Sequence, residues 1–380
     1  IGTCNELNAG YAADGYARLN GIGAVCVTYG VGGYSLLNAV AGAYAERLPL
    51  LVICGSPRLS APQTYLPHHS AGSMMQQYRI YEKVTAAAVL IKDPAQGPSQ
   101  IDRAIQTALT YKRPVYIELP MDMVAAPCAV PEPFDFHVDL CSDPNALREA
   151  LEETAEMLGA ARNPVALAGI EAHRFQIRRQ LADVLDRAGL RFATTLLGKA
   201  VLPERHPAYL GVYGGATGSQ VALKAVEESD LLLCLGTLMT DINLGCGTAQ
   251  LDASRMIVAN SEQVKIKHHV YNHVSLKDYI EGLLDMLPRG ELRPSDLPHP
   301  SRLMEEPFAV EPDKTITIER FFRRLNDCLK GDHVLLAGTG DSIPSAGDMY
   351  LPDEVEFIGQ TLSLLTGQSL HVSPPNAPPW

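Results

Sequence analysis

The chain has 380 residues, more than a single hydrophobic core usually serves, so two or three domains are expected. Its net charge of -12, with no basic patch interleaved with aromatics, excludes nucleic acid as a partner. No apolar run is long enough to cross a bilayer, no signal-peptide pattern is present, and the eight cysteines lack metal-ligand spacing, which points to reduced thiols in a cytoplasmic protein.

The first stretch, residues 2–18, predicts a helix, because Leu7, Gly10, Tyr11, Asp14 and Arg18 recur at three- and four-residue steps. Asn5 is its expected N-cap. The many Ala and Gly residues predict a second backbone packed close against it. Glu6 falls in the first turn, where a carboxylate either offsets the helix dipole or serves chemistry. The apolar run 24–28 predicts a buried parallel strand. It ends at Tyr29-Gly30-Val31-Gly32-Gly33, ahead of a small-residue helix over 35–48. Glycines at a strand-to-helix turn let a ligand approach the backbone, although the spacing is not the GxGxxG dinucleotide fingerprint. Residues 50–55 predict another strand, leading into a polar loop that carries His68 and His69. Strands are expected over 84–90 and 114–119, with a helix over 99–111 between them.

Prolines over 127–142 mark a linker, since proline resists both helix and inner strand. Residues 143–287 alternate again: helices over 144–161 and 173–188, strands over 164–169, 192–195, 230–236 and 255–260. Such alternation predicts doubly wound parallel sheets, and the fold class is α/β with several domains. A second pair, His268 and His269, reads as an ordinary surface or turn position. Prolines and charges crowd 288–313, a second linker. A helix over 317–329 and a strand over 333–337 open a third unit, 314–370, with Gly338-Thr339-Gly340-Asp341-Ser342 at the strand's carboxyl end. Residues 371–380 read as a disordered tail.

The helix N-E-L-N-A-G-Y-A-A-D-G-Y-A-R at 5–18, T-Y-G-V-G at 28–32 and the double histidine resemble the thiamine-diphosphate-dependent 2-keto acid decarboxylases. These are the pyruvate, indolepyruvate and phenylpyruvate decarboxylase group. The likeness continues through T-T-L-L-G-K at 194–199, G-V-Y at 211–213, G-T-L-M-T-D at 236–241 and G-T-G-D-S at 338–342. It implies a pyrimidine-binding domain at 1–126, a central domain at 143–287 and the truncated start of a diphosphate-binding domain at 314–370. Beginning at Ile1 inside a motif, the chain is expected to be a fragment.

By the same resemblance, Glu6 is expected to hydrogen-bond N1′ of the cofactor's aminopyrimidine. Thr28, Gly30 and Val31 are expected to line that ring's pocket. His68 and His69 are expected to handle protons beside the substrate carboxylate, so Glu6, His68 and His69 are the catalytic candidates. Thr339 and Asp341 are expected in the cofactor's other half-site. The implied cofactors are thiamine diphosphate and Mg²⁺, the partner a 2-keto acid, and the assembly a homodimer or homotetramer. The family's metal motif is replaced by Gly340-Asp341-Ser342 and Gly347-Asp348-Met349, so no metal ligand is assigned and this chain by itself is expected not to hold the cofactor. After the histidines, Ala71-Gly72-Ser73-Met74-Met75-Gln76 departs from the family's loop. Two alternatives stay open: a carboligase of the acetolactate synthase type, a group that lacks the double histidine, and a degenerate non-catalytic subunit.

Overall fold

The computed structural model describes residues 1–60, 68–69, 72–128, 132–136, 140–288, 308–338, 340 and 342–359. Two compact units divide the chain, Ile1–Asp139 and Leu140–Thr361. The expected tail, 371–380, and parts of both expected linkers lie outside the described residues.

The first unit runs α1 (Glu6–Asn20), β1 (Gly23–Val27), α2 (Val31–Ala45), β2 (Leu50–Ser56), α3 (Gln76–Tyr81), β3 (Ala87–Leu90), α4 (Gly97–Tyr111) and β4 (Val115–Pro120). Its four strands are all parallel, in the order β1-β2-β4-β3. Asn5 caps α1 as expected, its side chain accepting from the Asn8 N–H at 2.9 Å, and Gly21 ends the helix in the left-handed region. The expected close helix packing is at Gly10, where a Cβ would stand 2.5 Å from Leu36 and 2.6 Å from Ala39 on α2. Two expectations need correction. The strand over 24–28 is not buried on both faces: β1 is a sheet edge, and Ala24 and Cys26 are exposed. The helix expected from residue 35 starts four residues earlier, at Val31, so Gly32 and Gly33 are helical. Helix propensity disfavours those glycines, but the backbone contacts described below hold them there.

The second unit runs α5 (Pro144–Ala160), β5 (Pro164–Ala168), α6 (Glu171–Arg174), α7 (Arg178–Ala188), β6 (Arg191–Thr195), β7 (Tyr209–Tyr213), α8 (Gln220–Glu227), β8 (Leu231–Leu235), β9 (Met256–Ala259), β10 (Gln263–Ile266), β11 (His269–Asn272) and α9 (Leu276–Met286). After the segment outside the described residues come α10 (Ile318–Cys328), β12 (Val334–Ala337), α11 (Ser342–Gly347) and β13 (Glu356–Gly359). The large sheet has the order β11-β10-β9-β8-β5-β6-β7, parallel except for the antiparallel β9-β10-β11 edge. The helix expected over 173–188 is broken after Arg174, because Gln176 takes φ 57°. β12 and β13 form a separate parallel pair within this unit. Lys199 ties it in: buried beside Glu204 at 2.8 Å, its ammonium also donates to the Met349 carbonyl at 2.6 Å. Glu204 in turn accepts the Leu351 N–H at 2.9 Å.

Ligands of doubly wound sheets bind at the switch point, which here lies between β5 and β8. Gly169 meets the Gly236 carbonyl and the Thr237 Cα there, too closely for any side chain. Backbone fills the crevice, and Glu171 just beyond it is buried and engaged by the Ser261 N–H at 3.0 Å and hydroxyl at 2.9 Å.

Two sites of buried charged residues lie in the first unit. Arg18 is buried between Asp14, 2.6 Å from its Nε, and Glu46, 2.6 Å from its Nη2, which ties the carboxyl ends of α1 and α2 together. Burial opposes its charge, but the two carboxylates outweigh burial and hold its pKa above the ordinary value. Replacing Arg18 by Met strands two carboxylates in the interior and is expected to cost about 3–5 kcal/mol in urea unfolding of this unit. A loss below about 1 kcal/mol would show the pair to be solvated.

Glu118 on β4 is buried, and burial raises its pKa against hydrogen bonds from Tyr116 and Ser56. The folded state therefore keeps this proton to higher pH than the unfolded chain does. The associated stability is present at low pH and declines as pH rises from the ordinary carboxylate range through the raised value. Glu118→Gln is expected to remove that decline, so its stability relative to the wild type improves between about pH 4 and about pH 7. Parallel melting-temperature curves for the two proteins over that range would contradict this.

Candidate functional site

The site candidates of the first unit gather around the turn between β1 and α2. Gly30 takes φ 66° and ψ -110°, a conformation open to glycine, and turns the chain sharply from strand into helix. A side chain there would also collide with the carbonyl of His69. Two backbone bonds close the turn: the Gly33 N–H donates to the Thr28 carbonyl at 3.1 Å, and the Tyr34 N–H to the Gly30 carbonyl at 2.9 Å.

Glu6 lies against this turn. The Asn5 cap makes it the first residue of α1, and its side chain rests over Gly32. A Cβ built on Gly32 would stand 3.3 Å from the Glu6 Cγ, 3.4 Å from its Oε1 and 2.9 Å from the Thr28 Cγ2. Glycine at 32 thus makes the room that Glu6 and Thr28 share. Glu6 is half-buried, and among the described residues nothing hydrogen-bonds its carboxylate. Val31, 57% exposed, offers a bare apolar surface at the first position of α2.

The histidines approach the same turn from the loop after β2. The His68 and His69 rings are 4.2 Å apart between centroids, and the Tyr29 ring lies 5.5 Å from His69 and 6.4 Å from His68. Both histidines are exposed. His69 sits at φ 107°, a costly value for a residue with a side chain. Its carbonyl against Gly30 accompanies that conformation.

Beneath the turn lies a polar network with no counterpart in the sequence reading. Gln77, buried on α3, accepts the Gly30 N–H on Oε1 at 2.6 Å. Its Nε2 donates to the Tyr116 hydroxyl at 2.6 Å and to the Cys54 sulfur at 2.9 Å. The Tyr116 hydroxyl donates onward to Glu118 at 2.7 Å. Burial pushes the Cys54 thiol up to about 11, so it stays protonated and donates to the Thr28 carbonyl at 3.4 Å. Tyr81, one turn beyond Gln77, donates to the Gly33 carbonyl at 2.7 Å and stacks on Tyr116 at 4.2 Å. The signal available in sequence was the four-residue step from Gln77 to Tyr81, which puts a buried amide and a buried phenol on one helix face.

The structure thus brings Glu6, Thr28, Gly30, Val31, His68 and His69 to one turn. Thr339 and Asp341 lie outside the described residues, and Gly340 between them takes φ 108° just ahead of α11. Among the described residues no three His, Cys, Asp or Glu side chains gather to hold a metal ion. The second pair, His268 and His269, is exposed at the β10–β11 edge, where His269 faces Glu153 at 3.2 Å. No helix among the described residues is long and apolar enough to cross a membrane.

Residues 1–80 match the thiamine pyrophosphate enzyme N-terminal TPP binding domain, and residues 151–287 match the thiamine pyrophosphate enzyme central domain. The chain is 32% identical over 370 residues to pyruvate decarboxylase isozyme 2 of Saccharomyces cerevisiae, covering 95% of this chain and 65% of the relative. It is 33% identical over 368 residues to the alpha-keto-acid decarboxylase of Mycobacterium leprae, covering 95% and 64%. Against pyruvate decarboxylase 2 of Oryza sativa subsp. japonica it is 31% identical over 361 residues, covering 93% and 60%. The chain therefore spans just under two thirds of the length of these relatives. With its mainly parallel α/β sheets and both domain matches, the chain belongs to the thiamine pyrophosphate enzymes and is similar to the 2-keto acid decarboxylases among them.

Proposed function

We propose that the first unit receives the aminopyrimidine end of thiamine diphosphate, and that the protein converts a 2-keto acid to an aldehyde and carbon dioxide without oxidation. The observation that carries this reading is the Glu6 carboxylate, half-buried over Gly32 and free of hydrogen bonds among the described residues. A carboxylate so placed can accept a hydrogen bond from a ring nitrogen or share its proton, and the amino ends of α1 and α2 favour its charge. Thr28 borders the same space, Val31 stands exposed beside it, and Gly32 leaves that space free of a side chain. When bound, thiamine diphosphate supplies the electron sink that loss of carbon dioxide from a 2-keto acid requires.

His68 and His69 handle the proton. Two imidazoles with ring centroids 4.2 Å apart can deliver a proton to the carbon that has lost its carboxylate. The same pair supports aldehyde release over carboligation. Thr339 and Asp341 belong, on this reading, to the diphosphate half-site, and residues 314–370 to the domain that carries it. Mg²⁺ would accompany the diphosphate, with no ligand assigned to it in this chain. Pyruvate is favoured as substrate by the names of the yeast and rice relatives, with indolepyruvate and phenylpyruvate the other candidates. The eight free thiols support a cytoplasmic setting, and we infer a homodimer or homotetramer.

Saturation-transfer NMR tests the binding step with the chain as it stands. Thiamine diphosphate is expected to receive magnetisation chiefly at its aminopyrimidine protons, and Glu6→Gln is expected to remove most of that transfer with little change in melting temperature. Equal transfer to the wild type and the variant would sink the assignment of Glu6.

Steady-state assays on pyruvate, phenylpyruvate and indolepyruvate test the reaction. In protein that carries the whole diphosphate-binding domain, aldehyde is expected from at least one acid, with His68→Ala lowering kcat about a hundredfold or more. Acetolactate in place of aldehyde would point to a carboligase, and no product from any acid with that protein would contradict the decarboxylation reading.

A further inference from the structure

Gln77 holds an unusual position for a residue that touches none of the site candidates' reactive atoms. It is 6% exposed, yet every polar function of its amide is engaged. Oε1 takes the Gly30 N–H. One Nε2 proton goes to Tyr116, and the other faces Cys54, whose thiol donates to the Thr28 carbonyl. The amide also packs on Gly33, where an added Cβ would stand 2.5 Å from Oε1 and 2.6 Å from Cδ. It therefore grips residues 28, 30 and 33 from below, leaving only the upper side of the turn for Glu6.

The polarity of these bonds is directional. Glu118 accepts from Tyr116, which makes the Tyr116 oxygen the acceptor for Nε2, and this in turn aims Oε1 at Gly30. An apolar residue at 77 would bury the Gly30 N–H without an acceptor. An ionised carboxylate would lack the donors and stand near Glu118 in the interior. Only a group with an acceptor at one end and a proton at the other suits both sides.

We propose that Gln77 is the positioning residue of this site: its amide sets the direction of the Gly30 peptide and hence the shape of the turn against which Glu6 and His69 lie. Gln77 acts through the backbone, not on a ligand. The consequence for cofactor affinity rests on the thiamine-diphosphate reading above; the consequence for the turn does not.

Hydrogen exchange of the full chain, read by mass spectrometry at single-residue fragmentation, separates the two. In Gln77→Leu the Gly30 amide is expected to exchange about tenfold faster, while amides in the middle of β2 and β4 keep their wild-type rates. Thiamine diphosphate affinity, titrated by saturation-transfer NMR, is expected to fall about tenfold in parallel. Gln77→Glu is the rescue variant. At about pH 5 a buried, protonated acid keeps an acceptor for Gly30 and a donor for Tyr116, so protection is expected to return and then fade toward about pH 8. Unchanged Gly30 exchange in Gln77→Leu, or equal acceleration across the whole sheet, would overturn the proposal. Should Gln77→Leu fail to fold, the pH series on Gln77→Glu decides, and protection that does not vary with pH would count against it. If the wild type binds no thiamine diphosphate, the cofactor reading fails while the exchange result still decides the role of Gln77.

Discussion

The first unit depends on a steric constraint at two glycines. At Gly30 the left-handed backbone and the His69 carbonyl leave no space for a Cβ, and at Gly32 that space is shared by Glu6 and Thr28. Strand, helix, carboxylate and histidine loop meet where two side chains are missing. Removing side chains from the middle of this junction lets four separate segments touch. At Gly32 it also weakens local helix propensity, by about 1 kcal/mol, which the surrounding contacts must offset.

Several of those contacts are polar. Gln77, Tyr116, Glu118 and Cys54 form a hydrogen-bonded chain under the turn, and Arg18 joins Asp14 to Glu46 at the far end of the same two helices. Buried polar groups of this kind contribute little net stability, but they penalise every arrangement that leaves one unpaired. They therefore define which way the turn faces more than how tightly the unit folds. The second unit differs. Its core is mainly aliphatic, its switch point is filled by backbone at Gly169 and Gly236, and its buried ion pair, Lys199 with Glu204, serves to hold the 349–351 segment in place.

Much of the fold was legible in the sequence where burial imposes a plain pattern. β2, β5 and β8 are mainly apolar runs because a parallel strand is covered on both faces, and β4 is such a run interrupted by Glu118. The β10–β11 hairpin was not legible: Lys265 and Gln263 alternate with Val264 and Ile266, and the strands are only four residues long. The start of α2 was misjudged because two glycines argue locally against a helix that tertiary contacts enforce. At the site, Glu6 and the histidine pair stood out as chemistry-bearing residues in a familiar order. Gln77 did not, since an amide carries no catalytic signature and the preceding loop departs from the family's sequence. Its role appears only when the Gly30 N–H is seen pointing at it.

The central claim is that this turn presents Glu6 to a heterocycle. A crystal structure of the chain soaked with thiamine diphosphate measures it most directly. The account predicts an aminopyrimidine nitrogen about 2.6–3.2 Å from a Glu6 carboxylate oxygen, with the Gly30 turn unmoved. Cofactor density away from Glu6, or a ring whose nitrogens face solvent, would contradict it.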